Sequence, residues 1–397
     1  MQLSKKALAI SPSLTLKITA MAKDMKARGL DVVGFGAGEP DFDTPQHIKN
    51  AASEAMRIGM TKYTPASGTL ELKKAICAHL KKENGLIYDP AQIVVSNGAK
   101  HSLFNAFQAI LNPGDEVIVV SPYWLTYPEL IKMADGVPVY VEALESNNFE
   151  PKAEDIEAAV TKKTKAIIVN NPSNPCGCIY TRKTLEGIAA IAKKYDFFII
   201  SDEIYGQLVY DGKKHTSIAG LNEDAYERTI LVNGLSKTYA MTGWRIGYTA
   251  SIPEIAKVMG SYQSHATSNP CSIAQFAGVE ALTGSQEEIE KMREEFDERR
   301  KMMVRMINGI DGVSCTTPMG AFYVMMNIAG LKGRSIDGKK IGNSIDFAEQ
   351  LLEKKLTAVV PGAAFGSDDF VRLSYAISRE NIKKGIDRIA EFVAMLD

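Results

Sequence analysis

The sequence has few of the residues that build metal sites or disulfide frameworks. Its 397 residues include only five cysteines and five histidines. An odd number of scattered cysteines disfavours a disulfide framework and favours a reducing compartment. Cys176-x-Cys178 has no second pair of cysteines or histidines near it, and the histidines are dispersed. We therefore expect no metal site.

A net charge of one sign and long apolar runs are also missing. The formal net charge is -1, from 46 Lys+Arg against 47 Asp+Glu, so no global field would attract nucleic acid or an anionic lipid surface. The longest apolar runs, such as Val117–Val120 and Phe197–Ile200, are far shorter than the roughly 18 residues of a membrane helix. The apolar stretch near the N-terminus is too short for a secretory signal. We therefore expect a cytoplasmic protein that binds neither nucleic acid nor membrane.

The length and the pattern of apolar residues predict an α/β chain with two lobes. At 397 residues, the chain exceeds the size that one hydrophobic core usually spans. Between about residues 93 and 250, short apolar runs alternate with amphipathic stretches, which is typical of a parallel sheet with helical crossovers. The predicted strands are Ile93–Val95, Val117–Val120, Val139–Val141, Ala166–Val169, Phe197–Ile200, Ile230–Val232 and Ile246–Tyr248.

The pattern changes near residue 285, where a smaller α+β unit is predicted. Ser285 and Glu288 have the spacing of a capping box, and a long amphipathic helix follows, with Glu295 and Arg299 paired on its outer face. Further strand-like segments are Ala321–Met326, Ala358–Val360 and Val371–Ser374. We predict an N-terminal arm (1–45) that belongs to the small domain, a large domain (46–284) and a small C-terminal domain (285–397).

Polar residues follow two of the predicted strands at their carboxyl ends, where open α/β sheets bind ligands. Asp202 follows one strand, and an Asn/Pro-rich turn from Asn170 to Gly177 follows another. A helix cap for the acid and ordinary turn chemistry for the prolines remain open as purely structural explanations. The acid also resembles that of a Walker B strand, but the sequence has no Gly-x-x-x-x-Gly-Lys-Ser/Thr loop, so a nucleotide-binding ATPase is a remote alternative.

Glycine and cations mark three further segments. Gly98 leaves backbone donors open at the start of a helix, and Lys100 in its first turn is unfavourable against the helix dipole unless an anion is near. Lys237 and Arg245 follow a strand, and their surroundings suit a semi-buried amine beside an anion clamp. Such a lysine is a nucleophile that forms a Schiff base with a carbonyl. Arg372 lies in a predicted strand, where a salt bridge and a bidentate grip on a ligand carboxylate are both open.

Together these motifs resemble class I aminotransferases, which are pyridoxal 5'-phosphate (PLP) enzymes of fold type I. The resemblance rests on Ser236–Gly247, Asp202-Glu203-x-Tyr205, Asn174-Pro175-x-Gly177 and Val371–Ser374. The segments Ala37–Pro45, Lys62-Tyr63 and Ser121–Trp124 are similar to the bacterial-type aspartate aminotransferase branch. The resemblance covers essentially the whole chain. It implies a large PLP-binding domain, with a mostly parallel seven-stranded sheet between helices, and a smaller α+β domain.

The resemblance also implies how the cofactor is held. Lys237 would bind PLP covalently and move a proton during catalysis, and Asp202 would keep the ring nitrogen protonated. The other residues that the resemblance assigns to PLP are Tyr205 and Asn174 at the phenolic oxygen, Trp124 stacked on the ring, and Arg245, Gly98, Ala99 and a second subunit's Tyr63 at the phosphate. Gly234 stands where many relatives have a phosphate-binding serine, and Cys176 replaces the threonine usual in the Asn-Pro-Thr-Gly turn.

Substrate recognition follows from the same resemblance. Arg372 would hold the α-carboxylate with help from the Gly38 backbone, beside Trp124 and Asn174. Ser13, Thr15 and Lys100 would recognise an acidic distal group. The implied enzyme is a homodimeric aminotransferase that moves the amino group of L-aspartate to 2-oxoglutarate by a ping-pong cycle, with prephenate as a further acceptor giving arogenate. An aromatic or neutral amino-acid aminotransferase and a carbon–sulfur lyase of the same fold are the alternatives, and the cations Lys100 and Arg372 favour a dicarboxylate.

Overall fold

Short apolar runs form the strands of the computed structural model, which describes residues 2–11 and 14–397 and gives only the backbone of 14–19. The strands are β1 (Val33–Gly34), β2 (Ile93–Ser96), β3 (Glu116–Ser121), β4 (Val137–Glu142), β5 (Thr164–Asn170), β6 (Phe198–Asp202), β7 (Thr229–Gly234), β8 (Gly247–Ala250), β9 (Tyr323–Asn327), β10 (Ser335–Ile336), β11 (Lys339–Lys340), β12 (Thr357–Ala358), β13 (Val360–Pro361) and β14 (Phe370–Ser374). Strands β2 to β8 correspond to the seven predicted from the sequence, with ends that differ by at most two residues.

These seven strands make one sheet in the order β2-β8-β7-β6-β5-β3-β4. Only β8 runs antiparallel to its neighbours β2 and β7, so the mostly parallel sheet predicted from the sequence is confirmed. Successive side chains of a strand point to opposite faces. In β3, Val117 and Val119 join one apolar cluster and Ile118 joins another. Both faces of the sheet are therefore buried, which requires a layer of helices on each side.

Helices supply these two layers and the covering of a second unit. The α-helices are α1 (Lys5–Leu8), α2 (Leu14–Ala27), α3 (Gln46–Arg57), α4 (Leu70–Asn84), α5 (Ala99–Ile110), α6 (Thr126–Met133), α7 (Ala153–Ala158), α8 (Arg182–Tyr195), α9 (Glu223–Arg228), α10 (Pro253–Ala266), α11 (Ser272–Thr283), α12 (Glu287–Ile307), α13 (Ser344–Lys355) and α14 (Arg379–Ala394). Helices α5, α6 and α10 contribute to one apolar layer and α8 to the opposite one. Within the described ranges, no helix has both the length and the apolar character needed to cross a membrane.

A second, smaller sheet carries the rest of the fold. Its antiparallel strands lie in the order β13-β14-β9, and the helices α12, α13 and α14 share one apolar cluster with them. Strand β1, from the predicted N-terminal arm, pairs in parallel with β12. This pairing supports an arm that belongs to the small C-terminal domain, while the boundaries 1–45, 46–284 and 285–397 stay a prediction.

Two details of helix α12 differ from the sequence prediction. The helix begins at Glu287 with Gln286 as its N-cap, so Ser285 lies one residue too early and only accepts a 3.3 Å hydrogen bond from the Glu287 amide. Arg299 does pair with Glu295, at 2.8 Å, but its side chain is buried rather than on an outer face. A second carboxylate, Asp41, accepts from Arg299 at 2.7 Å and offsets the loss of water.

Candidate active site

The loops after five strands of the large sheet meet around one cavity of about 670 Å³. Strands β2, β3, β5, β6 and β7 point the same way, so their carboxyl ends share one edge of the sheet. The cavity is lined by Ala99 and Lys100 after β2, Trp124 after β3, Asn174 after β5, Asp202 and Tyr205 at the end of β6, and Lys237 and Arg245 after β7. The smaller unit adds Gly38, Tyr323 and Arg372.

Asp202 is a buried acid at the end of β6. Its Oδ2 accepts a 2.7 Å hydrogen bond from the hydroxyl of Tyr127, and its Oδ1 accepts one from the backbone amide of Ile204 at 3.2 Å. Burial raises the pKa of Asp202 to about 6, although these two donors and the nearby Lys237 favour the ionised form. A carboxylate held at this position suits a cationic or protonated group in the cavity.

Lys237 lies in the loop after β7, where its Nζ donates to the carbonyl of Gly38 at 2.5 Å. Desolvation lowers the pKa of Lys237 to about 8, and the guanidinium groups of Arg245 and Arg372 act in the same direction, against the opposing charges of Glu39 and Asp202. The neutral amine is therefore more populated near neutral pH than it is for an ordinary lysine. A neutral amine is the nucleophile that attacks a carbonyl carbon.

The start of helix α5 forms an anion-binding corner with Arg245. Gly98 is the N-cap of this helix with φ of 86°, and a side chain there would collide with the Arg245 guanidinium. Arg245 is fixed by donating to the carbonyls of Thr242 at 2.8 Å and Asn97 at 3.3 Å. The free amides of the first helical turn and the guanidinium therefore meet at one point, which is the arrangement that binds a phosphate group.

Lys100 lies in the first turn of the same helix. Its Nζ is 4.9 Å from the centre of the Trp124 ring, within the range of a cation–π contact. Burial and the neighbouring Arg245 lower the pKa of Lys100. A cation beside a helix N-terminus is unfavourable unless an anion is near, so this position of Lys100 suits an anionic ligand.

Arg372 is a buried cation of β14. Its Nη1 donates to Asn174 Oδ1 at 3.0 Å and its Nη2 to the Gly36 carbonyl at 3.2 Å, whereas Nε has no hydrogen-bond partner among the described residues. Tyr323 lies with its ring 4.4 Å from the guanidinium carbon. Among the ion pairs of the described residues, none includes Arg372, so the salt-bridge alternative is wrong. A buried guanidinium with spare donors is a site for a carboxylate.

Tyr63 is a predicted site residue that does not line this cavity in the single chain. Tyr63 is 90% exposed and lies in a surface depression with Lys62 and Pro270. Ser13 lies outside the described residues, and Thr15 belongs to helix α2 through its backbone only. The roles of Tyr63, Ser13 and Thr15 therefore stay predictions.

Some residues of the site were missed in the sequence. Tyr127 holds Asp202, and Tyr323 hydrogen-bonds Tyr205 through their hydroxyls at 3.0 Å. Neither follows a predicted strand directly, and a tyrosine in an amphipathic segment normally indicates core packing.

The glycine at position 234 also has a structural reason. A Cβ atom at this position would lie only 2.9 Å from the Gly247 Cα and from the Ile246 carbonyl oxygen, so a side chain would not fit.

Comparisons with known proteins identify the class of this site. The family model "Aminotransferase class I and II" matches residues 30–389. The chain is 48% identical to an aspartate aminotransferase of Bacillus subtilis, over 99% of both chains, and 47% identical to an aspartate/prephenate aminotransferase of Cereibacter sphaeroides, over 98% of this chain and 97% of that protein. It also superposes on an aspartate aminotransferase from Thermus thermophilus solved with maleate, with a TM-score of 0.93, 43% identity and coverage of 98% and 99%.

The chain belongs to the class I and II aminotransferase family. It is a PLP-dependent aminotransferase of fold type I, and its substrates are an amino acid and a 2-oxo acid. The cavity fits this cofactor: a lysine with a lowered pKa suits the aldehyde, a buried acid suits the ring nitrogen, and the corner of Gly98 and Arg245 suits the phosphate.

The low proton affinity of Lys237 predicts how its reactivity depends on pH. We expect reductive alkylation of the apoenzyme by a small aldehyde and cyanoborohydride to modify Lys237 with a midpoint near pH 8, because only the neutral amine reacts. Mass spectrometry of the Lys237 peptide measures this. The positive charge of Arg372 contributes to the lowered pKa of Lys237, so the Arg372→Met variant should shift the midpoint of the reaction to a higher pH. A midpoint near 10 in the unaltered protein would contradict the prediction.

Proposed function

We propose that this enzyme transfers the amino group of L-aspartate to 2-oxoglutarate, giving oxaloacetate and L-glutamate in two half-reactions. The observation that carries the proposal is the pair of cations Lys100 and Arg372 in the same cavity as the reactive amine of Lys237. Two cations match the two carboxylates of aspartate and of 2-oxoglutarate. The relatives named for aspartate and the relative solved with maleate, a dicarboxylate, support the same substrate class.

In this proposal, different residues of the cavity bind different groups of the cofactor. When bound, PLP supplies a ring that withdraws electrons and stabilises negative charge at the substrate's α-carbon. The residues that would hold it are Lys237 at the aldehyde carbon, Asp202 at the ring nitrogen, Tyr205 and Asn174 at the phenolic oxygen, Trp124 on the ring face, and Arg245, Gly98 and Ala99 at the phosphate. The geometry of Asp202 and of the Gly98 corner supports these assignments.

Lys237 is proposed as the catalytic residue. Once the substrate's amine has displaced it from the aldehyde carbon, its Nζ would accept a proton from the substrate's α-carbon and return it to that former aldehyde carbon within the same half-reaction. The pKa of about 8 suits both steps, because a general base works best when its pKa lies near the operating pH. The Gly38 carbonyl, which accepts from Nζ, keeps the amine pointed into the cavity.

Arg372 is proposed to bind the α-carboxylate. Its burial leaves little water to compete, and each Nη group donates to only one protein acceptor, so its second hydrogen is left for a carboxylate. Asn174 accepts from Nη1 and fixes the plane of the guanidinium. Gly38 and Trp124 line the space beside it.

Lys100 is proposed to bind the distal carboxylate, with Ser13 and Thr15 assisting. The same cation would meet the additional carboxylate of prephenate, and we propose this compound as a second acceptor that gives arogenate. The relative from Cereibacter sphaeroides, named for both aspartate and prephenate, supports this extension.

We also propose a homodimer in which Tyr63 completes the phosphate site of the partner subunit. The 90% exposure of this tyrosine in a single chain leaves its side chain free to contact a second subunit, which is what the proposal requires.

We propose that the enzyme is located in the cytoplasm. All five cysteines, each within the described residues, are free thiols, which supports a reducing compartment.

The purified enzyme provides the direct test of the function. We expect a yellow protein whose visible absorbance falls on addition of L-aspartate and returns with 2-oxoglutarate, and with prephenate if that acceptor is used. Lys237→Ala should remain colourless after removal of free PLP and should lose at least about a thousandfold in kcat, because its proton transfer and covalent anchor are both gone. A colourless unaltered protein that does not take up added PLP would rule out the proposed function.

A substitution of Lys100 tests the substrate class. Lys100→Met keeps the packing on Trp124 but removes the charge, so kcat/KM for aspartate and 2-oxoglutarate should fall about 10- to 100-fold, with much smaller changes for alanine and phenylalanine. Lys165→Met is the matched control, since Lys165 also lies over a ring, that of Phe198, 5.5 Å away. Equal losses for both substrate classes would contradict the assignment of Lys100.

Hybrid dimers test the role of Tyr63. Differently tagged Lys237→Ala and Tyr63→Ala chains are co-expressed and the hybrid is isolated through both tags. One of its two sites would contain neither substitution, so the hybrid should exceed both parent proteins in activity at low PLP and approach half of the unaltered enzyme. Tyr195→Ala, at another exposed tyrosine, is the control for surface changes. A monomeric protein, or a hybrid no better than the Tyr63→Ala parent, would contradict the shared site.

A further inference from the structure

Tyr127 lines the cavity beside the acid of the site and contacts it directly. It lies in the second position of helix α6 and is almost completely buried. Its hydroxyl donates to Asp202 Oδ2 at 2.7 Å. Its ring packs edge-on against Trp124, with the ring centres 5.3 Å apart. One side chain therefore supports both the acid and the indole that faces the cavity.

The hydrogen bond from Tyr127 is one of few interactions that favour the ionised form of Asp202. The second donor is the backbone amide of Ile204. Of the charged groups around the acid, Lys237 stabilises the carboxylate, whereas the adjacent Glu203 opposes it. The side chain of Glu203 is itself held in place by hydrogen bonds to Ser201, Ser217 and His215. Asp202 thus lies in a low-dielectric site beside another carboxylate.

The direction in which Tyr127 donates is also defined. Burial and the neighbouring Asp202 raise the pKa of Tyr127 well above its ordinary value, and Tyr205 and Tyr180 act in the same direction. The phenol therefore stays protonated over the working pH range and can only donate to a carboxylate. Donation to a charged acceptor is among the stronger hydrogen bonds in proteins.

We infer that Tyr127 is a positioning residue that holds Asp202 in place and ionised, so that the proton shared between this acid and the cofactor's ring nitrogen stays on the nitrogen. Without the donor, the carboxylate becomes more basic and turns more freely. The proton then moves from the ring nitrogen toward Asp202 Oδ, and the ion pair becomes a neutral hydrogen bond. This inference rests on the proposal that Asp202 faces the ring nitrogen.

The test uses the Tyr127→Phe holoenzyme reconstituted with PLP labelled with ¹⁵N in the ring. In the unaltered enzyme we expect the chemical shift of a protonated ring nitrogen between pH 6 and 9. In Tyr127→Phe the shift should move toward that of the unprotonated nitrogen, and PLP, measured by equilibrium dialysis, should bind about tenfold more weakly because one charge-assisted hydrogen bond is lost.

Two further proteins keep the result interpretable. Tyr88→Phe removes another buried phenol oxygen, one without a hydrogen-bond partner among the described residues, and should leave the shift and the PLP affinity unchanged. Replacing Tyr127 alone by 3-fluorotyrosine preserves the fold and makes the phenol a stronger donor. It should keep the ring nitrogen at least as fully protonated as in the unaltered enzyme.

An unchanged nitrogen shift and PLP affinity in Tyr127→Phe would overturn the inference, as would the same changes in Tyr88→Phe. A 3-fluorotyrosine protein whose ring nitrogen loses its proton would overturn it as well, even if Tyr127→Phe failed to fold. These outcomes differ from failure of the proposed function, in which the unaltered enzyme itself would bind no labelled PLP or would show an unprotonated ring nitrogen.

Discussion

The carboxylate of Asp202 lies at the end of a strand that is buried on both faces, and the cost of keeping a charge there determines much of what surrounds it. Transferring an ionised acid from water into such a place is unfavourable unless donors and a counter-charge replace the water. The protein provides Tyr127 and the Ile204 amide as donors, and the pKa of about 6 indicates that they offset only part of the cost. A cation next to Asp202, inside the cavity, would offset the rest of the unfavourable free energy of burying its charge.

The cations of the cavity, in turn, have too little negative charge around them. Lys237 and Arg372 both face desolvation, and Arg245 and Arg372 each disfavour the charged form of Lys237. A cation that lacks a paired acid is costly in a buried place, but it becomes favourable when an anion arrives. The cavity is therefore arranged for ligands that carry phosphate and carboxylate groups. The overall net charge of -1 conceals this local excess of positive charge.

Much of this could be predicted from the sequence because its signals are local. Apolar runs of strand length marked all seven strands of the large sheet, and the residues that follow them gave Asp202, Asn174, Lys100 and Lys237. The missing parts depend on contacts between distant segments. Tyr127 reaches Asp202 across 75 residues, and Arg299 reaches Asp41 across 258, so no spacing along the chain could indicate them. The predicted helix start at Ser285 differs from the observed cap at Gln286 by one residue, which is within the range over which helix ends vary.

Two of the hydrogen bonds between the large sheet and the rest of the chain are made by groups that are proposed to bind ligands. Lys237, from the large sheet, donates to the Gly38 carbonyl, and Arg372, from the small sheet, donates to the Asn174 amide oxygen. A substrate carboxylate at Arg372 would bring negative charge to this boundary, where Asn174 now supplies only a neutral acceptor. In the proposed role of Arg372, substrate binding and contact between the units would be coupled through the same side chains. Because a guanidinium has five donors, Arg372 can bind a carboxylate through its remaining Nη hydrogens while it keeps its bond to Asn174.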